Sequence, residues 1–319
     1  MDKRALVLDD KMITCIGGAN IDRKAVAKEA IRYYSSNPVA MTESFGGVAR
    51  NVSENLSQLG NKVSLLSVVG HDKDGLRLLD DIKEKNIDIN LTEIASTGCT
   101  GTYTALLDVD GEMVISLADM DIYDRLTPAI IEEKWARIAT SRAVFIDTNI
   151  PHETIAYIMG RCWQEKISLY VDPVSSLKAR KLPQDLTGIE VILPNLEEAE
   201  ELSGMKIITA VDYRIVADAI KARGVKNVVI TLGSEGAFYS SPVNSGQIMP
   251  YKMEIVDVTG AGDALTAGVL SSMIDGHDLK EACRYGLAAA AFVLSTEQSI
   301  AQDLSFENIT AFIKENESL

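Results

Sequence analysis

The stretch Asp257-Val258-Thr259-Gly260-Ala261-Gly262-Asp263-Ala264-Leu265 sets two glycines ahead of an apolar, helix-periodic run that continues to Ile274. The glycines free the backbone for a tight turn. The helix beginning there presents amides with no intrahelical partner and a partial positive charge. Such a joint is an anion hole able to cradle a phosphate. Asp263 stands at its rim, where a carboxylate can take the proton of an alcohol attacking that phosphate. Read alone, a GxG of this kind is a weak signal and fits a plain, tight strand-to-helix turn better. It is not a dinucleotide fingerprint, which follows the first strand, and it lacks the Walker lysine.

Toward the N-terminus the same strand-then-helix joint recurs. Short β-rich apolar runs at 12–17, 62–69, 143–147, 169–172, 191–193 and 227–232 alternate with amphipathic stretches at 48–59, 76–85, 153–165, 211–223 and 261–274. This βαβ rhythm predicts an α/β fold with a mostly parallel central sheet and helices on both faces. Two segments break the rhythm. Residues 100–108 alternate Thr100, Thr102 and Thr104 with Tyr103, Ala105 and Leu107, Asp110-Gly111 predicts a hairpin turn, and 113–117 returns. Residues 20–45 end without a helical stripe. Together these segments, about 20–45 and 98–118, predict a small β-layer beside the body, a natural lid. A single domain is expected over 12–319, with 1–11 as a tail too short for a further module.

With 31 basic and 46 acidic side chains the chain carries a net charge of −15. That balance opposes non-specific nucleic-acid binding and docking on anionic lipid. An acidic protein that handles a polyanion needs a local device, such as Mg²⁺ or a helix N-terminus. The longest purely apolar run, 287–294, falls far short of a bilayer span. Cys15, Cys99, Cys162 and Cys283 are widely spaced and read as small buried hydrophobes in a reducing compartment, so a cytoplasmic location is expected. His71, His152 and His277 show no metal or catalytic spacing.

Asn20 and Asp22, two apart on an extended segment, point the same way and suit vicinal hydroxyls. Asp147-Thr148-Asn149 and Asp172-Pro173-Val174-Ser175 each follow an apolar run, at the strand ends where open α/β sheets collect ligands.

As a whole, 257–265 resembles the second signature of the PfkB/ribokinase family of sugar and nucleoside kinases, with Val258 where that signature usually has Thr. Further motifs match in order. The resemblance implies a ribokinase-like fold and ATP-dependent phosphorylation of a primary hydroxyl. Asp263 is then the base and Gly260, Ala261 and Gly262 the anion hole. Asn20, Asp22 and Asn51 would hold the sugar, and Gly46-Gly47 would hinge the lid at the substrate. Asn149 joins the substrate-binding set by its strand-end position. The N-x-x-E motif falls on Asn195 and Glu198, which implies Asn195 at ATP and Glu198 acting on Mg²⁺ through water. Thr231, Gly233, Gly236 and Thr259 are further ATP contacts, and Asp257 is a candidate for a monovalent cation such as K⁺. Within the family, GGANID, FGGVARNVSENLSQLG, LADMDIYD and VDPVS look most like the pseudouridine kinases. Asp119, Asp121 and Asn149 are the candidates for an acceptor that reads the base. A homodimer through the outer face of the lid is also expected.

Overall fold

The computed structural model describes residues 12–296 and 300–317; the expected tail 1–11 lies outside them. In chain order the strands are β1 Met12–Ile16, β2 Asn20–Ala27, β3 Val39–Gly46, β4 Lys62–Leu66, β5 Val68–Gly70, β6 Ile87–Asp88, β7 Glu93–Ala95 and β8 Thr102–Leu107. They continue as β9 Met113–Asp119, β10 Ala143–Asp147, β11 Ser168–Asp172, β12 Ile189–Ile192, β13 Asn227–Thr231, β14 Ala237–Ser240 and β15 Ser245–Ile248. The helices are α1 Val48–Gln58, α2 Lys73–Glu84, α3 Pro128–Ile138, α4 His152–Glu165 and α5 Ser176–Ala179. After them come α6 Leu196–Ser203, α7 Ala210–Lys221, α8 Ala261–Ile274, α9 Leu279–Leu294 and α10 Phe306–Glu317.

Among the described residues a nine-stranded sheet runs in the order β15-β14-β13-β12-β11-β10-β1-β4-β6. It is parallel from β13 to β6, with an antiparallel hairpin, β14 and β15, on one edge. The strand side chains divide with period two. Ile13, Cys15, Val63, Leu65 and Phe145 belong to one core with α1, α8 and α9. Ile16, Leu66, Val144, Ile146 and Val171 belong to the other, with α3, α4 and α7. Both faces being covered explains why these strands read as continuous apolar runs rather than alternating ones. Helix α8 is buried almost all round from Ala264 to Ser272. It crosses α9 closely, because a Cβ on Gly268 would sit 2.8 Å from the Gly286 Cα.

Residues 20–46 and 102–119 pair into a separate sheet, β3-β2-β8-β9. Strand β8 runs parallel to β2 and antiparallel to β9. The hairpin turn is longer than the Asp110-Gly111 pair predicted it to be. The Asp108 carboxylate accepts the amides of Asp110 and Glu112, and Gly111 takes φ 84°. The expected single strand 62–69 is broken at Ser67, whose hydroxyl donates to the Gly17 carbonyl at 2.6 Å. Strand β5 then leaves the large sheet to pair with β7. Cys15, Cys162 and Cys283 are buried as expected, but Cys99 is exposed in the turn before β8.

Candidate active site

Gly260 caps α8 in the left-handed region, at φ 81° and ψ −7°. A side chain there would be strained, which is the physical reason for glycine at this position. No side chain caps the helix, and Ala264 N–H closes the first turn on Gly260 O at 3.0 Å. Ala261 N–H reaches back to Val258 O at 3.4 Å, which leaves the Gly262 and Asp263 amides of the first turn to a ligand or water. Ahead of the turn, Asp257 Oδ1 accepts the Thr259 amide at 2.8 Å, and bonds from Thr259 hold its carboxyl below the usual range.

Asp263 extends from this first turn. Its Oδ2 accepts a hydrogen bond from Asn51 Nδ2 at 2.8 Å, across from α1. Burial pushes the Asp263 carboxyl up to about 7; the charges of Asp147 and Asp22 add to the rise, and the Asn51 bond and Arg50 oppose it. A carboxyl poised near neutrality is well matched to proton transfer.

Asp263 and Gly262 line a cavity of about 160 Å³ together with Asp172, Glu198, Asn195 and Thr231. Burial and the neighbouring Glu198 and Asp263 push Asp172 well above the ordinary carboxylate range. Burial pushes Glu198 up to about 7, against the lowering effect of the Asn195 amide. Asn195 and Glu198 form a complete capping box at the start of α6. Glu198 N–H donates to Asn195 Oδ1 at 2.9 Å, while the Glu198 carboxylate accepts Asn195 N–H at 2.9 Å and Nδ2 at 2.7 Å. The N-x-x-E spacing is therefore a helix start as well as part of the cavity lining. Among the described residues, no group of three or more His, Cys, Asp or Glu could hold a metal alone.

On the other side of Asp263, Asn20 Nδ2 donates to Asp22 Oδ1 at 2.6 Å, so the two side chains share a face as their spacing predicts. Burial raises the Asp22 carboxyl. Gly46 makes room for it, since a Cβ there would lie 2.0 Å from Asp22 Oδ2. Gly47 is the N-cap of α1 at φ 98°, packed on Gly18.

Several residues expected at the ligand sites are not part of the lining of the 160 Å³ cavity. Asp147 is fully buried and is a strut rather than a cleft group: its Oδ2 accepts the amides of Gly18 at 2.8 Å and Ala49 at 2.9 Å, and its Oδ1 that of Asn149 at 2.9 Å. Asn149 Oδ1 accepts from Lys178 Nζ at 2.5 Å, which leaves its amide nitrogen near Gly18 as a donor. Gly233, Gly236, Asp257 and Thr259 do not line the 160 Å³ cavity. Gly236 has a packing reason of its own, because a Cβ would come 2.0 Å from Ile248 O. A larger cavity of about 480 Å³ beside α6, lined by Glu197, Glu200 and Lys206, contains none of the expected residues.

Arg50 and Lys178 carried no signal in the sequence, whereas Asp172, expected only as a strand-end residue of the cleft, does line the cavity. The Asp172 turn carries a local signal only in its Pro173. Ser175 N–H bonds Pro173 O at 2.6 Å around Val174 at φ 64°, a tight turn of the strained hand for a β-branched residue. Thr266 Oγ1 donates to Asp172 Oδ2 at 3.5 Å and also lines the cavity.

An open, mostly parallel sheet with a helix N-terminus beside a near-neutral carboxylate is built for phosphoryl transfer to an alcohol. Residues 10–305 match the model of the pfkB family carbohydrate kinases, and the chain belongs to that family: it is a carbohydrate or nucleoside kinase. The chain is 34% identical to the pseudouridine kinase of Escherichia coli K12, over 96% of this chain and 98% of that one. It is 29% identical to the guanosine-inosine kinase of Exiguobacterium acetylicum, over 92% and 97%. A carbohydrate kinase from Agrobacterium tumefaciens superposes with TM-score 0.84 at 30% identity, covering 95% of this chain and 97% of that one. Arabidopsis thaliana ribokinase, solved with ribose and ATP, superposes with TM-score 0.84 at 19% identity over 95% and 99%, and the fold is ribokinase-like. Among the described residues no helix is long and apolar enough to cross a membrane.

Proposed function

We propose that the protein transfers the terminal phosphoryl group of ATP to the 5′-hydroxyl of pseudouridine, giving pseudouridine 5′-phosphate. The observation that carries this reading is Asp263, raised to about 7 on the uncapped first turn of α8. Asp263 accepts the hydroxyl proton as the oxygen attacks. The backbone of Gly260, Ala261 and Gly262 stabilises the negative charge on the transferred group. Asn20 and Asp22 hold adjacent sugar hydroxyls, Asn51 orients the base and the sugar, and Gly46 and Gly47 keep the backbone close to both. Asn149 offers its amide N–H to the substrate. Asn195, Thr231, Gly233, Gly236 and Thr259 form the ATP side.

The carboxylate and hydroxyl oxygens of the lining fit Mg²⁺, which keeps most of its water and takes few carboxylates directly. Asp172 and Glu198 would hold it, Glu198 through water; when bound, the ion neutralises phosphate charge. Because Glu198 sits near 7 and Asp172 is also raised, protonation weakens that hold as pH falls below neutrality. Asp257, kept ionised below the usual range, suits a monovalent cation. The three buried, unpaired thiols suit a reducing compartment such as the cytoplasm.

Pseudouridine is favoured by the 34% identity to a pseudouridine kinase across nearly the full length of both chains. Its C-glycosidic ring carries an N–H that uridine lacks. A buried acceptor aimed at that group is left unpaired by uridine, at a cost of about 1–3 kcal/mol, or roughly 5–150-fold in kcat/KM. Asn149 is the weakest candidate for that acceptor, since its oxygen is already taken by Lys178. The test is ATP-dependent phosphorylation of pseudouridine, uridine, adenosine, ribose and fructose under identical conditions. Pseudouridine is expected to lead; an equal or better kcat/KM with any of the others ends the pseudouridine assignment.

The same reading extends to a homodimer through the small sheet, which would serve as the lid. Strand β9 is exposed along its whole length, and Met113, Val114, Ile115 and Leu117 make it apolar. As an edge strand without lysine or proline it has no guard against pairing. A second copy covering it would bury this stripe. Light scattering is expected to give twice the chain mass, and Leu117→Lys to shift it toward the monomer.

A further inference from the structure

Asn51 meets Asp263 with its carboxamide nitrogen, and an amide can present either end. What fixes the end is Arg50, whose Nη1 donates to Asn51 Oδ1 at 3.1 Å. A guanidinium only donates, so it holds the amide oxygen on its own side and turns the N–H₂ to the carboxylate. Arg50 is itself held from several elements. Its Nη1 also donates to Phe45 O at 3.2 Å, and its Nη2 pairs with Glu54 at 2.5 Å and Asp81 on α2 at 2.8 Å. The guanidinium lies 5.9 Å from the centre of the Phe45 ring, and Lys85 Nζ completes the network at 3.0 Å from Glu54. Arg50 and Glu54 are both almost fully buried, with exposures of 5% and 3%. An ion network of this depth costs desolvation that offsets its Coulomb gain, so net stability is a weak reason for it.

We propose that Arg50 is a positioning residue for phosphoryl transfer: it locks the Asn51 carboxamide in the one orientation that donates to Asp263, and ties that alignment to the Phe45 end of the small sheet. The proposal rests on Asp263 as the base. The groups facing that carboxylate are Asn51 and Arg50 from α1, Asp22 from β2, Asp147 from β10, Asp172 from β11 and Glu198 from α6. All but the first two are acidic, so loss of the Arg50–Asn51 arm leaves repulsion unopposed and raises the pH at which the base ionises.

The test compares Arg50→Met, Asn51→Ala and the double variant, each across about pH 5–9. The assay uses the acceptor with the highest kcat/KM in the screen above, pseudouridine on the present reading. Arg50→Met is expected to lower kcat by about 10–100-fold, with KM for ATP changed less than about threefold. The acid limb of kcat should move upward by roughly 0.5–1 pH unit. In the Asn51→Ala background the same change should cost less than about twofold, because the group it positions is gone. Arg50→Lys, with one donor head in place of a fork, should recover only part of the rate. Should Arg50→Met fold poorly, Arg50→Met/Glu54→Gln removes the charge left behind and carries the same expectations. Equal losses in both backgrounds, or a wild-type rate with an unmoved acid limb, would overturn the proposal. Asp263→Asn run in parallel separates it from its premise. A near-wild-type rate there retires the base, whereas loss there with additive Arg50 and Asn51 effects retires the Arg50 role alone.

Discussion

Asp263→Asn is expected to lower kcat by about 10²–10⁴-fold while nucleoside binding stays within a few fold. The substitution preserves size and can still meet the Asn51 carboxamide, but removes the proton acceptor. A loss of less than tenfold in a clean preparation would retire Asp263 as the base. The pH dependence gives the same group a second signature. With its carboxyl at about 7, wild-type kcat should climb to a plateau above neutrality and fall about tenfold per pH unit below it. Stability runs the other way. A carboxyl raised in the folded chain favours folding fully below its unfolded value near 4, and that contribution is lost as pH rises through about 7. Asp263→Asn should therefore raise the melting temperature at pH 8 relative to wild type, with the difference fading as the pH approaches 4. A gain that is equal at both pH values would mean that the carboxyl is not raised by folding.

The parallel body was legible because both faces of the sheet are covered, so β1, β10 and β11 are apolar on both faces through their middles and stand out between amphipathic helices. The same logic hid what it could not mark. Segment 62–69 reads as one strand with two small serines in it, and nothing local tells Ser64, which stays in the strand, from Ser67, which turns its hydroxyl to Gly17 where β5 leaves for another sheet. Of the site, the residues tied to glycines were readable: Asp263 behind Gly260, and Asp22, whose carboxylate takes the space that a Cβ on Gly46 would fill. Their chemistry needs backbone conformations or clearances that only glycine supplies. Arg50 was not readable, because its meaning lies in a partner from another helix, Asp81 on α2, and through Asn51 in Asp263 more than two hundred residues away. A lone arginine on a helix looks like a surface charge. Asn195 and Glu198 carried the opposite ambiguity: one spacing serves a capping box and a cavity wall, and both uses occur.

Gly47→Val is expected to destabilise the whole protein rather than loosen a hinge. As a hinge between the small sheet and α1, Gly47 would tolerate a larger residue at the cost of altered closure alone. The structure gives it two reasons to be glycine. Its φ of 98° lies where a β-branched residue is strained. A Cβ there would also stand 2.4 Å from Gly18 O, 2.6 Å from Gly18 C and 2.8 Å from Ala19 Cα, all backbone atoms that cannot swing aside. Gly18 is pinned in turn, its amide on Asp147 and its carbonyl accepting the Arg50 amide at 3.1 Å. Backbone strain of about 1–3 kcal/mol and overpacking of about 1–3 kcal/mol together are a large share of a typical domain's stability. Urea unfolding followed by circular dichroism should show the midpoint fall by more than about 1 M at unchanged slope, given a slope of a few kcal/mol/M or less. Gly47→Ala should fall between Val and wild type, since it keeps the clash but loses the branch. A Val variant as stable as wild type, altered only in kcat and KM, would return Gly47 to the part of a free hinge.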